Sequence, residues 1–257
     1  MLDYAGKRVV VAGGGGGGMG AAATRILAGL GAQVTVLDLC PPAAPGVVFR
    51  RTDLADPAAI DAAAGELDGV DVLFNCQGIS GAAPGTTGVD VLRVNFLGVR
   101  HLSEALLPCI PDGGAIVSIA SAGGLGWQRR LEQIDELLTA GDGLAWAASQ
   151  ADGLLAKPLP NAYAFSKQAL IVWTMRRAVE TITRGVRINC TSPGSTRTAM
   201  AADFPDEGVA FMNRPSGRAA TPDEQAWPVV FLGSCAASYV NGTNLVVDGG
   251  NAAACAA

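Results

Sequence analysis

Apolar residues along the chain fall into two alternating rhythms. Short runs rich in valine, isoleucine and leucine recur as "RVVVAG" (8–13), "QVTVLDL" (33–39), "VVFRRTDL" (47–54), "VDVLFNCQG" (70–78), "GAIVSIAS" (114–121), "VRINCTSPG" (186–194) and "TNLVVDGG" (243–250). Runs of this length, bounded by turn residues, predict buried strands. Between them, apolar positions at helical spacing predict helices within 19–30, 57–65, 89–107, 163–183 and 222–236. Apolar strands alternating with helices imply an α/β architecture, a doubly wound parallel sheet with helices on both faces. No internal repeat or linker divides the chain, so residues 1–257 are expected to form a single domain. One stretch breaks the rhythm. Residues 126–160 separate a strand from the helix that would normally follow it closely, and Leu131, Ile134, Leu137 and Leu138 keep helical spacing. This segment predicts an inserted helical excursion ending at Pro158 and Pro160.

Composition narrows the range of partners. The 257 residues are 49% hydrophobic and carry a formal net charge of −5. Acids are scattered and no Lys/Arg cluster marks a nucleic-acid binder. No apolar run is long enough to span a membrane, and the start "MLDYAGKRVVV" does not resemble a signal peptide. A cytoplasmic protein with no membrane partner is therefore expected. Six cysteines without a C-x-x-C pair read as reduced, mostly buried thiols. The single histidine, His101, sits in "VRHLSEALL" and reads as a helix-surface residue, so neither a metal site nor serine–histidine chemistry is expected.

Six consecutive glycines, Gly13 to Gly18, lie between the first strand and a helix whose Ile26, Leu27 and Leu30 share a face. A tight turn ending at a helix N-terminus offers free N–H groups and a positive dipole end to a phosphate. Glycine lets a pyrophosphate come close to such a backbone, and no Lys-Ser/Thr follows to make a P-loop. Asp38 ends the second strand about 20 residues later, where a carboxylate would bind ribose hydroxyls and repel a 2′-phosphate. No Arg or Lys follows Asp38 directly or sits in the turn. The expected fold is thus a Rossmann fold and the expected cofactor NAD, although Asp38 also has a plain reading as a strand-end turn residue.

Of three tyrosines, Tyr163 alone has a lysine four residues on, in "YAFSK". On a helix that spacing puts Lys167 on the same face, where its charge favours a phenolate. A free phenol titrates near pH 10, so a tyrosine acting as a base at neutral pH needs such help.

Taken together, these features resemble the short-chain dehydrogenase/reductase family over essentially the whole chain. The family turn T-G-x-x-x-G-x-G corresponds to Gly13, Gly14, Gly18, Met19 and Gly20, with glycine replacing the usual threonine. "TDL" supplies Asp53 and Leu54 near adenine, and Asn75-Cys76-Gln77-Gly78 stands for N-N-A-G, departing from it at Cys76 and Gln77. "SPGSTRT" carries Pro193, Gly194, Thr196 and Thr198, which the resemblance places near the nicotinamide. It also implies a catalytic set of Asn95, Ser121, Tyr163 and Lys167. Tyr163 would exchange a proton with an alcohol or ketone, Ser121 would hold the same oxygen, and Lys167 would lower the phenol pKa and bind the nicotinamide ribose. Asn95 would hold a proton-relaying water, or merely cap or kink its helix. Ser118 rivals Ser121, but the strand end favours Ser121.

The insertion is similar to that of the bacterial 3α-hydroxysteroid dehydrogenase/carbonyl reductases in this family. It implies a bulky apolar or cyclic alcohol and a homo-oligomer, with the insertion favouring a dimer over the usual tetramer. Dihydrodiols, terpenoid alcohols and a non-catalytic NAD sensor are the alternatives. Residues 196–220, with Met, Phe and Pro mixed, are expected to form a substrate lid. Trp127, Trp146 and Trp173 line the pocket, pack the core or make an oligomer contact.

Overall fold

The computed structural model describes residues 2–256. Seven strands run in chain order as β1 (Arg8–Ala12), β2 (Gln33–Asp38), β3 (Val48–Arg51), β4 (Val72–Asn75), β5 (Ala115–Ile119), β6 (Arg187–Pro193) and β7 (Asn244–Val247). All adjacent pairs are parallel, in the spatial order β3-β2-β1-β4-β5-β6-β7. The order reverses between β1 and β4. In an open parallel sheet such a reversal opens a crevice at the carboxyl ends of the strands.

The helices are α1 (Met19–Gly29), α2 (Pro57–Gly65), α3 (Gly88–Leu92), α4 (Gly98–Leu106), α5 (Leu131–Thr139), α6 (Gly143–Ser149), α7 (Tyr163–Thr181), α8 (Asp206–Asn213), α9 (Pro222–Gly233) and α10 (Asn251–Ala256). Alternation along the strands divides the core into two layers. Val9, Val11, Val34 and Phe74 pack with α1 and α9, whereas Val10, Leu37, Leu73 and Ile116 pack with α2, α4 and α7. Both faces of the central strands are thus closed, which is why their sequences are predominantly apolar rather than alternating.

Each predicted strand is present with trimmed ends. The region 89–107 is not one helix. It divides into α3, a π-helical turn over Arg93–Leu97 and α4. The excursion at 126–160 is helical, with Ile134, Leu137 and Ala147 fully buried. Arg176 on α7 pairs with Asp135 on α5, fixing the excursion against that helix. The tryptophans follow the packing reading. Trp173 is buried, Trp127 packs against the same core layer, and Trp146 stacks on Phe165 with centroids 5.7 Å apart. His101 lies on the outer side of α4, 2.7 Å from Asp61. All six cysteines are free thiols, but they are not mostly buried as expected: Cys190 alone is buried, Cys76 is half-buried, and Cys40, Cys109, Cys235 and Cys255 lie exposed on the surface. Among the described residues no helix is long and apolar enough to cross a membrane, and no cluster of three or more His, Cys, Asp or Glu gathers as a metal site.

Candidate active site

The glycine run forms the turn between β1 and α1, at the crevice. A Cβ on Gly13 would lie 2.4 Å from the Gln77 nitrogen, and one on Gly20 would lie 2.0 Å from the Gly13 oxygen. Side chains are therefore excluded where the turn packs on the loop after β4. Its other side is open, with nothing within 4 Å of a Cβ on Gly16 or Gly17. Gly18 has φ +105° and caps α1 without any side-chain hydrogen bond, so no side chain competes for the first N–H groups of the helix. Asp38 borders the turn. Its carboxylate accepts from the Gly15 N–H at 2.8 Å and the Cys40 N–H at 3.0 Å. These features fit a dinucleotide: an uncapped helix N-terminus for phosphate, an open glycine cradle, and a carboxylate fixed beside it. Arg51 stands opposite Asp38 in the β2–β3 register. Asp53 is exposed and accepts from the Ala55 N–H at 2.9 Å, while Leu54 beside it is buried.

The second cluster forms around the start of α7. Tyr163 opens that helix, and Lys167 lies one turn on with Nζ 6.0 Å from the phenol ring centroid. Lys167 is buried and donates to the Ile119 carbonyl at 2.8 Å, so the end of β5 fixes the ammonium. Burial pulls its pKa down to about 8, against the opposing pull of Cys190 and Cys76. Burial pushes the Tyr163 phenol above its usual pKa near 10, and the Ser121 hydroxyl draws it back only in part. At the phenol, burial thus outweighs the Ser121 hydrogen bond.

Ser121 follows β5, and its hydroxyl accepts from the Gly123 N–H at 3.1 Å. Ser118 is fully buried on β5 and takes a hydrogen bond from Asn75 instead. Ser121 has left the sheet and borders the cavity described below, whereas Ser118 stays within β5.

Ser121 and Tyr163 line a cavity of about 380 Å³ together with Met19, Pro193, Gly194, Thr196 and Thr198. The cavity therefore reaches from the phenol to the first residue of α1. A Cβ on Gly18 would lie 3.5 Å from the Thr198 methyl, which brings the loop after β6 over the glycine turn. The outer wall is apolar, formed by Leu159, Met200, Phe204, Val209, Phe211 and Met212. Among the described residues no charged side chain lines this cavity. Most of that wall comes from the segment expected to be a lid. It is folded over the site, with the Phe204 ring edge-on to Tyr163 at 5.4 Å. Asp203 accepts a 2.5 Å hydrogen bond from the buried Ser80 hydroxyl, tying the lid to the loop after β4.

Two expected site residues are used differently. Asn75 turns its amide into the core, donating to Ser103 at 3.0 Å and Ser118 at 3.2 Å, so its side chain faces away from the glycine turn. Asn95 is fully buried in the π-helical turn. Its amide accepts from the Ile79 N–H at 2.8 Å and donates to the Ile79 carbonyl at 2.9 Å and the Ser166 hydroxyl at 3.2 Å. Through these bonds the Asn95 amide joins the 77–80 loop to α7. Gly78 is where that loop meets Asn95 and Lys167, since a Cβ there would lie 3.4 Å from Asn95 Oδ1 and 3.5 Å from Lys167 Nζ. Sequence reasoning missed Ser80, Asp203 and Phe204, whose roles depend on contacts far apart in the chain.

Comparison with known proteins gives a consistent result. A family model described as short chain dehydrogenase matches residues 7–130, and one described as enoyl-(acyl carrier protein) reductase matches residues 126–252. A coniferyl-alcohol dehydrogenase of a Pseudomonas species is 33% identical, with 97% of this chain and 98% of that protein covered. The crystal structure of the 3-alpha-hydroxysteroid dehydrogenase from Pseudomonas sp. B-0831 complexed with NADH is similar at 28% identity and TM-score 0.79, covering 96% of this chain and 97% of that one. A short chain dehydrogenase from Burkholderia cenocepacia in complex with NADP is similar at 28% identity and TM-score 0.73, covering 97% and 99%.

Proposed function

The chain belongs to the short-chain dehydrogenase/reductase family, and on that premise we propose that it interconverts a bulky, uncharged secondary alcohol and its ketone with NAD. The observation that carries this reading is the cavity: Ser121 and Tyr163 share its wall, it extends to Met19 at the start of α1, and no charged side chain lines it among the described residues.

When bound, the nicotinamide supplies the hydride acceptor. The protein's part is to handle the oxygen and its proton. Tyr163 takes the hydroxyl proton as the carbinol carbon becomes a carbonyl carbon, and returns a proton to the oxygen in the reverse direction. Ser121 donates to the same oxygen and stabilises the charge that develops on it. Lys167, held by Ile119, favours the phenolate electrostatically and is available to the nicotinamide ribose. Asn95 acts through the 77–80 loop as a positioning residue. Gly14, Gly18 and Met19 are proposed to receive the pyrophosphate, Asp53 and Leu54 to border adenine, and Pro193, Gly194, Thr196 and Thr198 to hold the nicotinamide end. Asn75 contributes through the backbone of its loop.

NAD is proposed over NADP because the Asp38 carboxylate, fixed by Gly15 and Cys40, would repel a 2′-phosphate. Arg51 across the β2–β3 register supports a second reading, in which NADP is tolerated. The apolar wall suits a hydroxysteroid, and terpenoid alcohols and dihydrodiols compete with it. The assay is nicotinamide reduction with NAD and NADP over a panel of 3-hydroxysteroids, terpenoid alcohols, dihydrodiols and charged hydroxy acids. Turnover confined to charged alcohols would refute the substrate class. Tight NAD binding with no turnover anywhere on the panel would favour a sensor.

We further propose a homo-oligomer, specifically a dimer, because the excursion of α5 and α6 covers part of α7. A cytoplasmic setting is proposed from the six free thiols.

A further inference from the structure

The polar and the apolar side chains of the catalytic cavity come from different segments. Those able to hydrogen-bond are Ser121, Tyr163, Ser195, Thr196 and Thr198. The first two meet the reacting oxygen, and the other three lie in the loop after β6, at the nicotinamide end. Thr196 already spends its hydroxyl on the Gly194 carbonyl at 3.1 Å. The outer wall of Leu159, Met200, Phe204, Val209, Phe211 and Met212 offers nothing stronger than a thioether, a weak acceptor. Pro160 and Pro205, which also border the cavity, have no N–H to offer, and the Val209 N–H is taken by the Pro205 carbonyl at 3.1 Å. This wall stands close to the chemistry. The Phe204 ring is edge-on to Tyr163 at 5.4 Å, and the preceding residue, Asp203, is tied to Ser80. A substrate hydroxyl placed against the wall would leave water and gain no side-chain partner in exchange, which is costly.

We infer that the substrate is a hydrocarbon alcohol whose reacting carbinol is its only hydrogen-bonding group, and that the lid wall enforces this. The inference rests on the dehydrogenase reading above and sharpens its substrate class. The two parts of the cavity make opposite demands. At Ser121 and Tyr163 a single oxygen meets two hydroxyls. Beyond it, a hydrocarbon body gains by burial against Phe204, Val209 and Met212, whereas a second hydroxyl loses. Uncharged polyols are therefore rejected along with charged alcohols, and one-oxygen steroids and terpenoid alcohols are selected. A wall without charge would not separate these classes. A wall without partners for a second hydroxyl does.

The test compares 2-decalol and 4-cyclohexylcyclohexanol, each against the same skeleton carrying a second hydroxyl on its far ring. Two quantities are read: kcat/KM with NAD, and the affinity of each alcohol by titration calorimetry with NADH present, so that no oxidation occurs. The remote hydroxyl should lower both about tenfold or more. Met200→Gln and Met212→Gln are nearly isosteric and place an amide on the wall, so each should narrow that ratio about threefold or more. Using two variants keeps the test decisive should one misfold. Equal kcat/KM and affinity for the alcohol and its diol would overturn the inference and leave the dehydrogenase reading standing. An unchanged ratio in both folded glutamine variants would overturn the role given to the lid wall. No turnover of any alcohol, with the difference in affinity intact, would refute the dehydrogenase reading and leave the wall's selectivity standing. A wild type that neither binds nor oxidises any of the four alcohols would overturn both.

Discussion

Replacing Lys167 with methionine isolates the free-energy cost of burying its ammonium. The lysine is 4% exposed, and its pKa falls from 10.5 to about 8, with burial as the leading cause. The sign follows from proton linkage. Between pH 8 and 10.5 the unfolded chain binds the proton and the folded chain has released it, so stability rises with pH. Below about pH 8 both states are charged and the full burial penalty applies; above 10.5 both are neutral and it vanishes. At about 1.36 kcal/mol per pH unit the whole effect is roughly 3 kcal/mol. Relative to pH 7, roughly 1 kcal/mol should be gained by pH 9 and roughly 2 to 3 kcal/mol by pH 10. Other groups oppose this trend. Cys76 and Cys190 are pushed from 9.0 up to about 12 by burial, so the folded state holds their protons longer and loses stability above pH 9. Subtracting the methionine variant removes most of that shared background. The assay is urea unfolding of ligand-free wild type and Lys167→Met at pH 7, 8, 9 and 10 with a reductant present. The wild type should gain on the variant steadily from pH 8 upward. A difference constant across the series would refute the claim that the ammonium is desolvated in the fold.

Three other consequences follow from the same structure. Asp38→Ser should raise the NADP/NAD ratio of kcat/KM about tenfold or more, and should lower the melting temperature because Gly15 and Cys40 lose their acceptor; an unchanged ratio would move cofactor selection elsewhere. Ser80→Ala and Asp203→Asn should each raise KM for apolar alcohols about threefold to tenfold, and the double variant should be no worse than either single one, since both cut the same link between lid and loop; additive losses would argue against that link. Sedimentation equilibrium should give a dimer, and a tetramer would contradict the proposed covering of α7.

The parts of this molecule legible in the sequence are those in which local pattern and tertiary demand agree. The β1, β2 and β5 runs are mostly apolar because both faces of the central sheet are closed, so hydrophobic patterning finds them. Asp56 and the Thr221–Glu224 capping box fix the starts of α2 and α9, and their predicted N-termini match the structure. Tyr163 and Lys167 were readable because one helical turn links them. The π-helical turn at 93–97 was not, because it places Asn95 against Ile79, a tertiary partner that spacing does not reveal. The same applies to Asn75: its position in a family motif pointed to the cofactor, whereas Ser103 and Ser118 draw its amide inward. Helix α8 and the Ser80–Asp203 contact were obscured for a related reason. The lid has little burial of its own, and only its packing over Tyr163 shows its place. Gln77 was visible as a departure from the motif, but that it lacks a partner could only be read from the fold.

The central claim is that Tyr163 exchanges the alcohol proton inside an apolar cavity. The most direct measurement compares wild type with Tyr163→Phe, recording NADH formation from the best alcohol of the panel and, separately, the affinity for NADH. The substitution removes one hydroxyl and leaves the ring that meets Phe204. The account predicts a loss of turnover of at least about a hundredfold with NADH affinity nearly unchanged. Turnover that survives in Tyr163→Phe would contradict it.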